Sequence, residues 1–298
     1  MAVQGRWLRL RYGKVGNVSH LFVDGHVHFY PCFQLAEFLD SAARNLGAAG
    51  ATGADNGVGC LLLAAVGEDA LSPAIRRYHE SLVGEWSIEP TGEEGSFVAR
   101  RSGWTDLFLI PGRQIRTREN LEVLALCSPS DAADGLPIDE TIAVADGLGA
   151  VVAIPWGAGK WLGSRGRAVR SVLDGELATR VNLGDNAGRP RWSGEPSLFR
   201  LAAERGIPVL PGSDPLPFAS EATRIGGYGF RLDGAFDPDQ PGASIKALLD
   251  RRVFPEAVGG RIGIRRFVAN QLALILRKGG SAPMTEDRPA GPSQESAL

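Results

Sequence analysis

The stretch His20-Leu-Phe-Val-Asp-Gly-His-Val-His28 decides how the rest of this chain is interpreted. It begins as a compact apolar strand and ends in two histidines that are separated by a single residue. Because alternate residues of an extended segment face the same side, Asp24, His26 and His28 can point at one place. Two imidazoles with a carboxylate to orient them indicate part of a divalent-metal site. A purely structural role is the alternative, since His-x-His also arises by chance.

Apolar runs of the same kind recur along the chain and alternate with amphipathic stretches. The runs predict strands at 20–24, 58–65, 106–111, 121–126, 150–155, 179–183 and 207–210. The stretches between and after them predict helices at 35–44, 73–82, 138–148, 164–174, 196–205, 244–252 and 262–278. Strands that are apolar on both faces and separated by helices indicate a parallel sheet with helix cover. About seven such units favour a closed α/β barrel that resembles a TIM barrel.

The domain organisation follows from departures from this alternation. Residues 84–101 carry two short strand-like pieces around a Gly-containing turn and predict an inserted hairpin. Residues 18–278 are expected to form a single domain that ends in C-terminal helices, and Val268, Leu272, Ile275 and Leu276 give the last helix an apolar stripe for docking. Residues 279–298 are rich in Gly, Ser, Pro, Glu and Ala and predict a disordered tail.

The composition excludes several classes of partner. Charged residues make up 22% of the 298 residues and the net charge is −2, so a basic nucleic-acid-binding surface is not expected. No apolar run approaches the roughly 20 residues that span a bilayer, and no polybasic cluster suggests a membrane surface. Three cysteines without CxxC spacing, and no apolar signal-peptide core, predict a cytoplasmic protein. The sequence carries no signal that fixes an oligomeric state.

Polar residues that follow the predicted strands form a second group of candidates. In parallel α/β barrels, ligand-binding groups lie on the loops after the carboxyl ends of the strands. Each such loop alone also fits ordinary turn chemistry, but together they favour a site. The residues predicted to bind substrate are Arg113, Gln114, Arg116, Lys160, Asp185, Asn186 and Arg189. The cations among them predict a small anionic ligand, such as a phosphate or a carboxylate.

Four segments in order resemble the polymerase and histidinol phosphatase (PHP) family of metal-dependent phosphoesterases, and more loosely the amidohydrolases. The segments are Val23-Asp-Gly-His-Val-His28, Leu109-Ile-Pro-Gly-Arg-Gln-Ile115, Ala153-Ile-Pro155, and Gly206-Ile-Pro-Val-Leu-Pro-Gly-Ser-Asp214 followed by Ile225-Gly-Gly-Tyr228. The resemblance implies a distorted (β/α)7 barrel that binds two or three metal ions. These ions activate water for attack on a phosphoester.

The chain departs from the family pattern at the positions of several metal ligands. Gln114 stands where the family has a bridging Glu, Glu122 where it has a histidine, and Ile154 within its Ala-His-Pro. Pro215 and Leu216 stand where its final histidine would follow the closing Asp. With four histidines in the whole chain, a trinuclear site is not expected.

The residues that remain predict one divalent ion (Zn, Mn or Fe) or none. His26, His28 and Asp214, with Glu122, are the predicted ligands, and Asp24 is predicted to orient an imidazole. The first hypothesis is a phosphoesterase-like, metal-dependent hydrolase in which Asp24, His26, His28 and Asp214 are the catalytic set. The second is a metal-free barrel that serves as a ligand-binding or scaffolding protein. A third is a metal-free lyase or isomerase with His26 or His28 as general base.

Overall fold

A computed structural model describes residues 20–50, 57–67, 71, 74–75, 84–129 and 131–280, with side chains as far as residue 273. The strands are β1 His20–Val27, β2 Gly57–Leu63, β3 Ser87–Pro90, β4 Phe97–Arg100, β5 Leu107–Ile110, β6 Gly112–Arg116, β7 Glu122–Leu126, β8 Val151–Pro155, β9 Asn182–Asn186, β10 Val209–Gly212, β11 Tyr228–Asp233 and β12 Glu256–Gly259. The α-helices are α1 Leu35–Ala48, α2 Ile138–Gly147, α3 Gly163–Asp174, α4 Ser197–Glu204, α5 Pro241–Leu249 and α6 Ile264–Gly280. Short 3-10 helices cover Glu176–Arg180 and Ala219–Arg224.

The strands form two mixed sheets. One has seven strands in the order β12-β11-β1-β2-β5-β4-β3, and the other has five in the order β10-β9-β8-β7-β6. In the first sheet β1, β2 and β5 are parallel, while β11 pairs antiparallel with β1. In the second sheet β8, β9 and β10 are parallel, and β7 is antiparallel to both of its neighbours.

The predicted closed barrel of parallel strands is therefore wrong, although the α/β character of the chain is as expected. Residues 112–116 are polar enough to suggest a loop, yet they form β6, and a five-residue connection joins β6 to β7. A connection that short joins antiparallel strands, because a parallel crossover needs about a dozen residues or more. The strands β11 and β12 were also absent from the prediction, and both add antiparallel pairs to the first sheet. Apolar periodicity locates a strand but gives neither its direction nor its partner.

The two sheets face each other across a shared apolar core and are covered outside by helices. Side chains from both sheets meet in this core, among them Val23, Phe108, Leu124, Ala153 and Phe230. A second cluster packs α2, α3 and α4 on the five-stranded sheet, and a third packs α1 on the other sheet. Burying each of these large apolar side chains stabilises the fold by about 1.5–3 kcal/mol.

The two edge strands of the five-stranded sheet, β10 and β6, meet the interior strands β1 and β2 of the larger sheet where the candidate site lies. The amide of Asp214, just after β10, donates to the carbonyl of His26 at 2.8 Å. Gly212 makes this approach possible, because a Cβ there would clash with the backbone of His26. On the other side of the site, Ala65 after β2 bridges to Arg113 of β6. The ends of β1, β6 and β10 therefore lie together.

The peripheral predictions have different outcomes. Within residues 84–101, β3 and β4 pair antiparallel as a hairpin at the edge of the larger sheet. The predicted docking stripe of the last helix is wrong for Val268 and Leu272, which are 47% and 56% exposed, and the side chains of Ile275 and Leu276 lie outside the described part of the structure. Most of the predicted helix at 73–82, and residues 281–298 of the predicted tail, lie outside the described residues. Among the described residues, no helix combines the length and apolar character needed to cross a bilayer.

Candidate metal centre

His26 and His28 bring two imidazoles together at the carboxyl end of β1. Both side chains are buried, and their Nε2 atoms lie 3.0 Å apart. The two rings meet edge to face, with their centroids 4.7 Å apart. The sequence-based expectation that these two side chains converge agrees with this geometry.

Asp214 adds a carboxylate to the two imidazoles from the loop after β10. Its Oδ1 lies 3.4 Å from Nε2 of His28 and 3.8 Å from Nε2 of His26. The residue has a φ of 43°, a left-handed conformation that aspartate tolerates better than most residues. Its other oxygen, Oδ2, accepts a hydrogen bond from Asn186 Nδ2 at 2.8 Å. The carboxylate is therefore aimed with one oxygen at the histidines.

The donor atoms fit a single metal ion. One ligand atom each from His26, His28 and Asp214 lies within 4.8 Å of the others, and the specific separations are 3.0, 3.4 and 3.8 Å. Tetrahedral zinc with bonds of roughly 2.0–2.2 Å separates its ligand atoms by about 3.3–3.6 Å. The mean of the triangle falls in that range, so one ion can reach all three atoms and keep a position open for water. Among the described residues, no other group of three such side chains converges in this way.

The pKa values of His26 and Asp214 are shifted toward the forms that ligate a metal. His28 Nδ1 donates to the carbonyl of Ala64 at 2.5 Å, which fixes the orientation of the ring and of its Nε2. Burial lowers the pKa of His26, so its imidazole is neutral. Burial alone would raise the pKa of Asp214, but its interactions with His26, His28 and Lys160 outweigh burial and bring the pKa to about 2. These shifts favour an ionised Asp214 carboxylate and a neutral His26 imidazole.

Asp24 does not orient an imidazole as predicted. Its Oδ1 accepts the amides of Ser213 at 2.7 Å and His26 at 3.3 Å, and its Oδ2 accepts the amide of Gly226 at 2.8 Å. The alternation that suggested otherwise is broken, because the pairing of β1 with β2 is irregular between Asp24 and Val27. Burial raises the pKa of Asp24 to about 6, against the hydrogen bonds that lower it. Asp24 therefore fixes the backbone beneath the site.

Glu122 and Lys160 line the same cavity but bind each other. The Lys160 ammonium forms an ion pair with Oε1 of Glu122 on one wall. Glu122, predicted as a fourth ligand, is not among the three described residues whose ligand atoms converge. Its negative charge still acts on His26, whose pKa it raises against the larger effect of burial.

Two of the other predicted binding residues lie at the site. Gln114 Oε1 is 3.1 Å from Nε2 of His26. Asn186 donates through Nδ2 both to Asp214 and to the carbonyl of Trp156, each at 2.8 Å. Both side chains line the cavity, and each contacts one of the three potential metal ligands.

The remaining predicted binding residues lie elsewhere. Arg189 forms a two-point ion pair with Asp185, with distances of 2.7 and 2.6 Å, and both are buried. The predicted substrate contacts of this pair are thus replaced by contacts within the protein. Arg116 is exposed at the end of β6. Arg113 lies on the opposite side of β6 from Gln114 and lines a different cavity.

The cavity at the candidate ion has a volume of about 320 Å³ and includes residues that sequence reasoning missed. Trp156 follows β8, and Arg224 ends a 3-10 helix. Phe267, Asn270 and Gln271 come from α6, which forms the far wall. Nothing in the pattern of α6 identifies these amides, because the exposed stripe on the same helix is the more apolar one.

The chain shows only weak similarity to known proteins. No protein-family profile and no curated protein sequence matches the chain. Among solved structures, PsfC from Pseudomonas syringae PB-5123 is similar, with 12% identity and a TM-score of 0.49 over 88% of this chain and 99% of PsfC. The lesion-specific endonuclease PfuEndoQ from Pyrococcus furiosus is similar, with 13% identity and a TM-score of 0.46 over 80% of this chain and 57% of PfuEndoQ. At these values neither likeness carries a functional argument.

Proposed function

We propose that this protein is a metal-dependent hydrolase of the phosphoesterase type that acts on a small anionic substrate with one divalent ion. The observation that carries the proposal is the convergence of Nε2 of His26, Nε2 of His28 and Oδ1 of Asp214 at the wall of a cavity. Zn, Mn and Fe all accept such imidazole and carboxylate ligands. An ion held there supplies a water of lowered pKa as the nucleophile.

The surrounding residues keep the three ligands in place. Asn186 holds Oδ2 of Asp214, which fixes the direction of Oδ1. The carbonyl of Ala64 fixes the ring of His28, and Asp24 accepts the backbone amide of His26. Such outer contacts commonly set the orientation and basicity of metal ligands.

The substrate anion is proposed to bind beside Lys160 and Arg224, the cations that line the cavity in the described part of the chain. Each is already paired with a carboxylate, Lys160 with Glu122 and Arg224 with Glu221 at 3.2 Å. This partial neutralisation suits a single small anion better than a polyanion. The cavity volume of about 320 Å³ is at the low end of the range for small-molecule sites.

A metal-free ligand-binding protein is the second candidate function. The specific observation in its favour is that His26 already has hydrogen-bond partners without an ion, in His28 at 3.0 Å and Gln114 at 3.1 Å. In that case Lys160 and Arg224 bind the anion and no hydrolysis follows.

Hydrolysis of p-nitrophenyl phosphate tests the two candidates. Protein stripped with a chelator is assayed after addition of Zn²⁺, Mn²⁺ or Fe²⁺, for wild type, Asp214→Asn and the control His20→Ala. His20 lies at the opposite end of β1, where it contacts Asp233. The hydrolase proposal expects activity that requires an added ion, is abolished in Asp214→Asn and is unchanged in His20→Ala. Absence of ion-dependent activity, with retained binding of inorganic phosphate, favours the metal-free protein.

A further inference from the structure

A second cavity of about 340 Å³ lies where the hairpin approaches the junction of β5 and β6. Its apolar lining includes Leu63, Phe97, Pro111 and Pro129. Gly95, at the hairpin turn, lies so close to Pro111 that a Cβ there would be 3.3 Å from the proline ring. The cavity therefore lies at a close contact between the hairpin and the residues that join β5 to β6.

Arg113 brings a cation into this cavity. The side chains of β6 alternate, so that Gln114 faces the candidate metal centre while Arg113 faces the other way. Within the described part of the chain, the Arg113 side chain has neither a hydrogen bond nor an ion pair, and its Nε atom is buried. A buried donor without an acceptor is unfavourable, and an acceptor from outside the chain would relieve this.

The charges around Arg113 limit the kind of ligand. Asp131 is the other charged side chain among the described lining residues, and it is exposed and forms no ion pair with Arg113. A guanidinium with free donors binds a carboxylate or a phosphate at two points. The apolar walls make no polar contact with an inorganic anion, but they can pack against the apolar part of an organic ligand.

We propose that this cavity is a binding site for a small organic anion, separate from the candidate metal centre. The carboxylate or phosphate of the ligand binds the guanidinium of Arg113, and its apolar body packs against Phe97 and Pro111. The ligand's head lies on the far side of β6 from His26. This site does not depend on the proposed hydrolase function, because the two cavities have no described lining residue in common.

Isothermal titration calorimetry with phenylacetate, phenyl phosphate and neutral benzyl alcohol tests the site. The protein is the full chain with His26→Ala, His28→Ala and Lys160→Gln, which removes two metal ligands and weakens anion binding at the metal centre. Arg113→Gln is compared with Arg116→Gln, a matched change at an exposed arginine of the same strand. The proposal expects at least one of the two anions to bind saturably. It expects affinity to fall at least tenfold in Arg113→Gln and to be unchanged in Arg116→Gln. The preferred anion identifies the ligand as a phosphate or a carboxylate.

Two further variants keep the test decisive if Arg113→Gln fails to fold. Arg113→Lys retains the charge but loses the two-point geometry, so the anion should bind several-fold more weakly. Asp131→Asn removes the repelling carboxylate, so the anion should bind more tightly. The proposal is overturned if neither anion binds, if benzyl alcohol binds as well as they do, or if the Arg113 variants bind as wild type does.

Discussion

Two buried polar clusters lie at the ends of neighbouring strands and differ in how completely their groups are paired. In the Asp185 cluster, both carboxylate oxygens accept from Arg189 at 2.7 and 2.6 Å, and one also accepts from the Tyr228 hydroxyl at 2.8 Å. In the Asp214 cluster, the carboxylate oxygen lies 3.4 and 3.8 Å from the nitrogens of His28 and His26. The first is saturated by the protein itself. In the second, one potential ligand atom from each of three residues converges on one point. This difference separates a cluster that stabilises the fold from one that can bind a metal ion.

The largest expected effect is the loss of stability when the Asp185 cluster loses its cation. Replacing Arg189 with Met leaves Asp185 buried without its cation, which should lower the free energy of unfolding by about 3–5 kcal/mol. Urea denaturation measures the loss. Arg180→Met is the matched control, because Arg180 pairs with Asp146 on the surface at 3.1 Å and should cost less than about 1 kcal/mol. Equal losses in the two variants would contradict the structural role of the buried pair.

A smaller effect is expected from loosening the unsaturated cluster at Asn186. Replacing Asn186 with Ala removes the donor that holds Oδ2 of Asp214, so metal affinity should fall about 10–100-fold. Competition with a fluorescent zinc chelator measures the affinity. Asn182→Ala is the control, since Asn182 lies on the same strand and donates to the carbonyl of Val152 at 3.1 Å. That variant should lose stability but keep its metal affinity, and equal metal loss in both would refute the assigned role.

The smallest effect is a pH dependence confined to the saturated cluster. Burial raises the pKa of Tyr228 above its usual value of 10.0, and its contact with Asp185 adds to the shift. The folded state therefore keeps the phenolic proton longer than the unfolded state, and this contribution to stability is present below pH 10 and lost as the pH rises further. Between pH 9 and 11, the free energy of unfolding should fall more steeply for wild type than for Tyr228→Phe. Equal slopes for the two proteins would show that folding does not raise the pKa of the Tyr228 hydroxyl.

The sequence predicts the local parts of this molecule better than its global pairing. The apolar strands and the convergence of His26 and His28 depend on short-range alternation, and the structure retains them. The predicted barrel requires all strands to be parallel. The short connection between β6 and β7 instead makes these two strands antiparallel. Asp24 was assigned to the site by the same alternation, and an irregularity in β1 redirects it to backbone amides.

The errors in the predicted binding residues have a common physical cause. Arg113 and Gln114 were grouped as one loop, but on a strand adjacent residues face opposite sides. The sequence suggests that Arg189 is a free cation. In the structure it pairs with Asp185, which lies four residues earlier in the same segment. Asn270 and Gln271 of α6 reach the cavity only through tertiary packing. A single sequence shows which groups are charged but not which of them are already paired.

The metal content of the purified protein tests the central claim most directly. Wild type, His26→Ala/His28→Ala and the control His20→Ala are equilibrated with Zn²⁺, freed of excess ion by gel filtration, and assayed by elemental analysis. The geometry of His26, His28 and Asp214 predicts one ion per chain in wild type and in His20→Ala, and none in the double variant. An equal metal content in wild type and the double variant, or no ion in wild type, would contradict the account.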